Sequence, residues 1–145
     1  MASISFNNYF LKNLSYVANP KFDFSTKNID LSTAVNLEVH VNKKTKKIIT
    51  ILDITLGSLE NTNSGFCIKV SIVGDFHYDF KEIESYGIGF EKFIKESTMS
   101  ILWSFVRPFI SDLISRGNKF PRYILPVINV SKLIDNHDFK VIYDE

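Results

Sequence analysis

A stretch of apolar side chains at helical spacing near the end of the chain constrains the fold most strongly. Between residues 98 and 116 apolar residues recur every three or four positions, which predicts a helix with a broad apolar stripe. The stripe consists of Leu102, Phe105, Val106, Phe109, Leu113 and Ile114. Arg116 and Gly117 favour a helix end, because glycine adopts the left-handed conformation freely and a cation is stabilised by the helix dipole there. Pro108 has no amide hydrogen for the carbonyl of Ser104, so we expect the helix to bend.

The first half of the chain indicates an antiparallel sheet. Apolar and polar side chains alternate over residues 31–41, which is typical of a strand with one buried face. On this pattern and on β-branched content we predict four strands, over residues 7–17, 31–41, 48–56 and 66–76. Short polar loops join the last three, so we expect an antiparallel meander. A short final helix is predicted over residues 127–133, with Asn129 or Ser131 as its cap. The predicted fold class is α+β.

Composition limits the class of protein. Apolar residues make up 45% of the 145 residues and charged residues 23%, with no Pro/Gly/Ser-rich linker, so we expect one domain over residues 1–145. The net charge of +1 offers no large excess for nucleic acid or a membrane surface. No apolar run is long enough to span a bilayer, and residues 1–10 lack the pattern of a signal peptide. We therefore predict a cytoplasmic protein.

The residue types needed for catalysis are not clustered. Cys67 lies in an alternating apolar run, which favours a buried, inert thiol over a nucleophile. The three histidines show no metal-ligand spacing, and there is no P-loop or nucleophile elbow. Asp75, His77 and Asp79 would share one face of an extended strand, and we interpret them as a surface cluster. We expect no catalytic residue, no metal and no cofactor, hence a binding protein and not an enzyme.

Aromatic residues are abundant. The chain contains 13 Phe, 6 Tyr and 1 Trp, more than a core of this size requires. This excess predicts an apolar groove or buried subunit interfaces.

The landmarks of the last third follow one order along the chain. They are Ile101-Leu102, Arg107, Ile110, Ser115-Arg116-Gly117, Phe120-Pro121, Leu125 and Pro126-Val127. This order resembles that of the SecB family, tetrameric bacterial chaperones of protein export. The resemblance extends more weakly over residues 4–134. It implies a four-stranded antiparallel sheet with one long and one short helix, assembled as a dimer of dimers. It also implies ATP-independent binding of unfolded polypeptide in apolar grooves.

The resemblance and the aromatic excess together suggest which residues bind a client. We predict that client polypeptide contacts Phe22, Phe24, Phe105, Phe109 and Leu113, with plain core or interface packing as the alternative for each. Three more residues extend apolar surface around the predicted helix beyond what one sheet would cover. These residues, predicted to contact a second subunit, are Trp103, Ile110 and Ile114.

Lysines suggest a second functional hypothesis. Lys69 falls where SecB, by alignment, has an acidic residue in its docking face for the motor SecA. A lysine-rich loop at residues 43–47 adds positive charge; it is either a solvated hairpin loop or a contact for an acidic partner. Charge reversal opposes docking, so we expect SecA binding to be weak or lost. The alternative is a dedicated chaperone or adaptor of one partner, such as the antitoxin of a toxin–antitoxin–chaperone system.

Overall fold

One five-stranded sheet and three helices make up the chain over residues 3–117, 119–120 and 129–144, which the computed structural model describes. The strands are β1 (Ile4–Ala18), β2 (Thr33–Asn42), β3 (Lys47–Gly57), β4 (Phe66–Tyr78) and β5 (Lys140–Asp144). The helices are α1 (Phe80–Glu84), α2 (Phe90–Gly117) and α3 (Val130–Asn136). The sheet order is β1-β4-β3-β2-β5.

The four predicted strands are present. β1, β3 and β4 are each one to three residues longer than predicted at one or both ends, whereas β2 begins two residues later and ends one residue later. Strands β2, β3 and β4 form the expected antiparallel meander, and β1 pairs antiparallel with β4. Alternation sets which side chains enter the core: along β3, every second residue from Ile48 to Leu56 is buried beneath α2.

The expectation of a purely antiparallel four-stranded sheet is wrong. After α3 the chain returns to the free edge of β2 and adds β5, which pairs parallel from Glu38–Lys140 to Asn42–Asp144. Five residues are too few to show a periodic pattern, so the sequence carried little signal for this strand. For α3 the predicted cap is confirmed, because the Asn129 side chain accepts a hydrogen bond from the amide of Lys132 at 3.0 Å. Leu125, Pro126 and Val127 lie outside the described residues.

Helix α2 is longer than predicted and begins at Phe90. Gly87 and Gly89, which lie between α1 and α2, have φ values of 74° and 91°. Glycine adopts such positive φ values at low cost because it has no Cβ. Pro108 lies inside the helix.

The connection over residues 19–32 joins two strands that are not neighbours in the sheet. Strands β4 and β3 lie between β1 and β2, so the connection must cross the end of the sheet. It therefore brings Phe22 and Phe24 to that end.

Candidate functional site

Polar bonds anchor the 19–32 connection to the β3–β4 loop. The side-chain amide of Asn19, a residue only 6% exposed, donates to the backbone carbonyls of Asn61 at 2.8 Å and Ser64 at 2.7 Å. Farther along, the backbone amide of Asp30 donates to the carbonyl of Asn63 at 2.8 Å. The connection therefore keeps its course without having to bury its own apolar side chains.

Two aspartates shape the connection locally. The Asp23 carboxylate accepts hydrogen bonds from the amide and hydroxyl of Ser25, and the Asp30 carboxylate does the same with Ser32. These hydrogen bonds lower the pKa of both carboxyl groups. Both stay ionised at neutral pH and continue to act as acceptors.

Five aromatic side chains form a continuous row at this end of the sheet, which we call the aromatic row. It runs through Phe24, Phe22, Phe120, Phe66 and Tyr16. Adjacent ring centroids lie 5.1 to 5.6 Å apart, and three of the four contacts are edge-to-face. Exposure rises along the row from Phe66, 2% exposed, to Phe24, 78% exposed. The row thus joins the core to an open apolar end.

Two glycines permit this packing. A Cβ on Gly65 would lie 2.2 Å from Cζ of Phe120, and one on Gly117 would lie 2.7 Å from the hydroxyl of Tyr16. Gly117 is the last residue of α2, and its φ is outside the left-handed region, contrary to the helix-stop interpretation. Its lack of a side chain lets the helix end approach the Tyr16 ring.

The predicted client residues divide into two places. Phe22 and Phe24 belong to the aromatic row. Phe105 and Phe109 pack instead on β1, where the Tyr9 ring lies 4.6 Å from Phe105 and 6.4 Å from Phe109. Leu113 continues their half-buried stripe on α2. Within the described residues no ring contact connects this stripe with the row.

The residues predicted at a subunit interface lie inside the single chain. Trp103 is 6% exposed, and Ile110 and Ile114 are fully buried. They belong to the core cluster of the single chain, so their burial does not require a second subunit, contrary to the expectation. A subunit contact through α2 stays a prediction. It would have to be made by the half-buried stripe of Phe105, Phe109 and Leu113, and not by Trp103, Ile110 and Ile114.

His77 and Asp79, predicted to share one face of an extended strand, make separate contacts. His77 contacts the Asn7 amide at 2.6 Å, whereas Asp79 caps α1 through the amides of Lys81 and Glu82. Cys67 is buried, as expected. In the part of the chain that is described, no three His, Cys, Asp or Glu side chains are placed to hold a metal ion. None of its helices combines the length and apolar character needed to cross a membrane.

Comparisons with known proteins place the fold. No protein-family model matches the chain. An uncharacterised protein of Methanocaldococcus jannaschii is 29% identical over 136 residues, covering 92% of this chain and 84% of that protein. The solved Mycobacterium tuberculosis Rv1957 SecB-like chaperone, in complex with a ChAD peptide from the HigA1 antitoxin, superposes with a TM-score of 0.57 at 12% identity, covering 88% of this chain and 91% of that one. A protein of unknown function from Streptococcus agalactiae gives a TM-score of 0.50 at 12% identity over 86% of this chain and 97% of that one.

The chain has a SecB-like fold. The resemblance seen in the sequence is confirmed at the level of architecture. Sequence reasoning missed Tyr16 and Phe66 as members of the row, because they lie on β1 and β4 and only the crossing of the 19–32 connection brings them near Phe22.

Proposed function

We propose that this protein is an ATP-independent chaperone that binds unfolded or extended polypeptide along the aromatic row. The observation that carries the proposal is the exposure of Phe24, in contact with half-buried Phe22, on a segment anchored by polar bonds. An aromatic side chain exposed to water on an ordered segment offers a partner a large apolar area at little cost in conformational entropy.

The row suits an extended chain. The ring of Phe24 contacts Phe22 edge-to-face and is 78% exposed, so apolar side chains of a client can pack against it. Alternate side chains of an extended peptide point to one side, so apolar residues at every second position would reach the row together. Such contacts select apolar character and not sequence.

Light scattering tests the proposal. An aggregating client protein is diluted from denaturant with and without this protein at equal molar amounts. We expect scattering to fall with the unmodified protein and to recover with the double variant Phe22→Ser/Phe24→Ser. Tyr86→Ser is the matched control, since Tyr86 is 52% exposed but lies between α1 and α2, away from the row. No suppression at stoichiometric amounts would contradict the proposal.

A second candidate is a chaperone or adaptor dedicated to one partner, such as an antitoxin. The solved complex of the SecB-like chaperone with an antitoxin peptide favours it, since the two chains share the fold. So does Lys69, which is exposed on the outer face of β4, where its cation would oppose a basic docking partner such as SecA. Co-purification discriminates: one stoichiometric small protein supports a dedicated role, and a mixture of precursor proteins supports export.

We also propose that the protein assembles as a cytoplasmic homotetramer. Exposed Phe6 on β1 contacts Phe105 of the half-buried stripe of α2, and exposed Leu14 lies on the same face of β1, so together they leave apolar surface that a second copy could cover. Exposed Phe10 lies on the opposite face of the sheet and adds apolar surface there. Sedimentation at micromolar concentration tests this, and a stable monomer would contradict it.

A further inference from the structure

A lysine-rimmed cavity lies at the opposite end of the sheet from the aromatic row. Two adjoining depressions of about 660 Å³ and 430 Å³ share Lys46, Tyr78 and Phe80. We call their union the lysine trough. Its four lysines are Lys43, Lys46, Lys81 and Lys92, and its four aromatic residues are Tyr78, Phe80, Phe90 and Tyr143. β4 separates the trough from the row by its full length, about 40 Å for 13 extended residues.

The floor of the trough is aromatic and packed. The ring of Phe90 lies 5.1 Å from that of Tyr78 and 5.4 Å from that of Phe80. Phe80 is 45% exposed and Tyr143 42% exposed. The floor thus presents apolar area to solvent, as the aromatic row does.

The rim carries cations with little local compensation. The Lys43 ammonium lies 4.7 Å from the Tyr143 ring centre, and that of Lys46 lies 5.9 Å from the Tyr78 ring centre. Among the described residues neither lysine comes within 4.0 Å of a carboxylate oxygen. Lys92, by contrast, pairs with Asp135 at 3.3 Å.

The two acidic residues in the trough are already engaged. The Glu91 carboxylate accepts the hydroxyl of Tyr143 at 2.8 Å, and Asp79 caps α1. Both carboxylates keep their negative charge, but four lysines against these two acidic residues leave the lining of the trough with a positive balance, and neither carboxylate lies within 4.0 Å of Lys43 or Lys46. The field above the aromatic floor is positive.

The loop that carries these lysines has a defined conformation. The Asn42 side chain accepts the amides of Lys44 and Thr45 at 3.0 and 3.1 Å. Lys46 has a φ of 59°, in the left-handed region that non-glycine residues seldom adopt, and its carbonyl accepts the amide of Tyr78 at 3.0 Å. The lysine side chains are therefore presented from an ordered turn beside the aromatic floor.

We propose that the lysine trough binds an acidic polypeptide segment that contains an aromatic side chain. Carboxylates of the segment would contact Lys43 and Lys46, and its aromatic ring would pack on Tyr78, Phe80 and Phe90. The two joined depressions, lined by four lysines and four aromatic residues, offer separate contacts for several side chains at once, which favours a chain. The chain's net charge of +1 disfavours a continuous phosphate backbone such as RNA, which requires a large excess of cations.

Fluorescence anisotropy tests this site directly. The probe is a short peptide of alternating aspartate and phenylalanine that carries an uncharged dye. We expect binding that weakens as salt rises, and at least tenfold weaker binding to the double variant Lys43→Gln/Lys46→Gln. The matched control, Lys12→Gln/Lys69→Gln, removes the same charge elsewhere and should leave the affinity unchanged. A probe with asparagine for aspartate should bind at least tenfold more weakly than the acidic one.

Three results would overturn the proposal. The first is an equal loss of peptide affinity in Lys43→Gln/Lys46→Gln and in Lys12→Gln/Lys69→Gln. The second is equal affinity for the asparagine probe and the acidic probe. The third is tighter binding of a single-stranded oligonucleotide than of the acidic peptide. The site does not depend on the aromatic row. Suppression of client aggregation by Lys43→Gln/Lys46→Gln should match that of the unmodified protein, so failure of one site is distinguishable from failure of the other.

Discussion

The ring of Phe120 lies directly on the backbone of Gly65, close enough that a Cβ on the glycine would come within 2.2 Å of the ring's Cζ atom. Phe120 lies between Phe22 and Phe66 in the aromatic row, so Gly65 fixes the spacing at the row's centre.

Gly65→Ala should therefore shift Phe120 and disturb the row more than the fold. The Phe120 ring is only partly buried and can rotate away, so we expect a loss of about 1 kcal/mol in the free energy of unfolding. Client affinity should fall severalfold, as measured by anisotropy of a labelled apolar peptide. Gly89→Ala is the comparison: a Cβ there meets nothing within 4 Å, although its φ of 91° adds backbone strain. Equal client affinity in the two variants would contradict the role of Phe120.

The row's exposed end should contribute to affinity and little to stability. Truncating an aromatic binding hot spot typically costs about 2 kcal/mol, so Phe22→Ser/Phe24→Ser should lower client affinity on the order of several hundredfold if the two add. Phe24 is 78% exposed, so its loss should leave the melting temperature nearly unchanged. A folded double variant with unchanged affinity would transfer the client site to Phe105, Phe109 and Leu113.

Sequence pattern predicted the fold better than the site. Alternation along residues 31–41 and three-and-four spacing along α2 reflect burial on one face, which local sequence encodes directly. The aromatic row is not local, because Tyr16, Phe22, Phe66 and Phe120 come from four separate segments. Of these segments, only the 19–32 connection could be predicted from the sequence as part of the client site, because Phe22 and Phe24 lie outside the predicted strands.

The burial of Ile110 within the single chain means that a charge at this position should destabilise the fold itself. Ile110 is fully buried in the single chain, so Ile110→Asp places an unpaired carboxylate in the core and should cost about 4 kcal/mol unless the group is protonated. Ser104→Asp adds the same charge at an exposed position of α2 and should be tolerated. Thermal melts monitored by circular dichroism compare them. An Ile110→Asp variant that melts like the unmodified protein but sediments as a smaller species would instead support a subunit contact at this position.

Tyr143 should titrate at unusually high pH. Burial, followed by the hydrogen bond to Glu91 and the charge of Glu91, raises the pKa of Tyr143 to about 12. A pKa raised in the folded state stabilises the fold at pH values below about 10, the ordinary tyrosine value, and this contribution is lost as pH rises through 12. Absorbance titration of the folded protein should therefore show a late tyrosine step that Tyr143→Phe removes and Glu91→Gln moves to lower pH. If Tyr143→Phe leaves the last step in place, the contact with Glu91 does not form in solution, and this side of the lysine trough has a different lining from the one described.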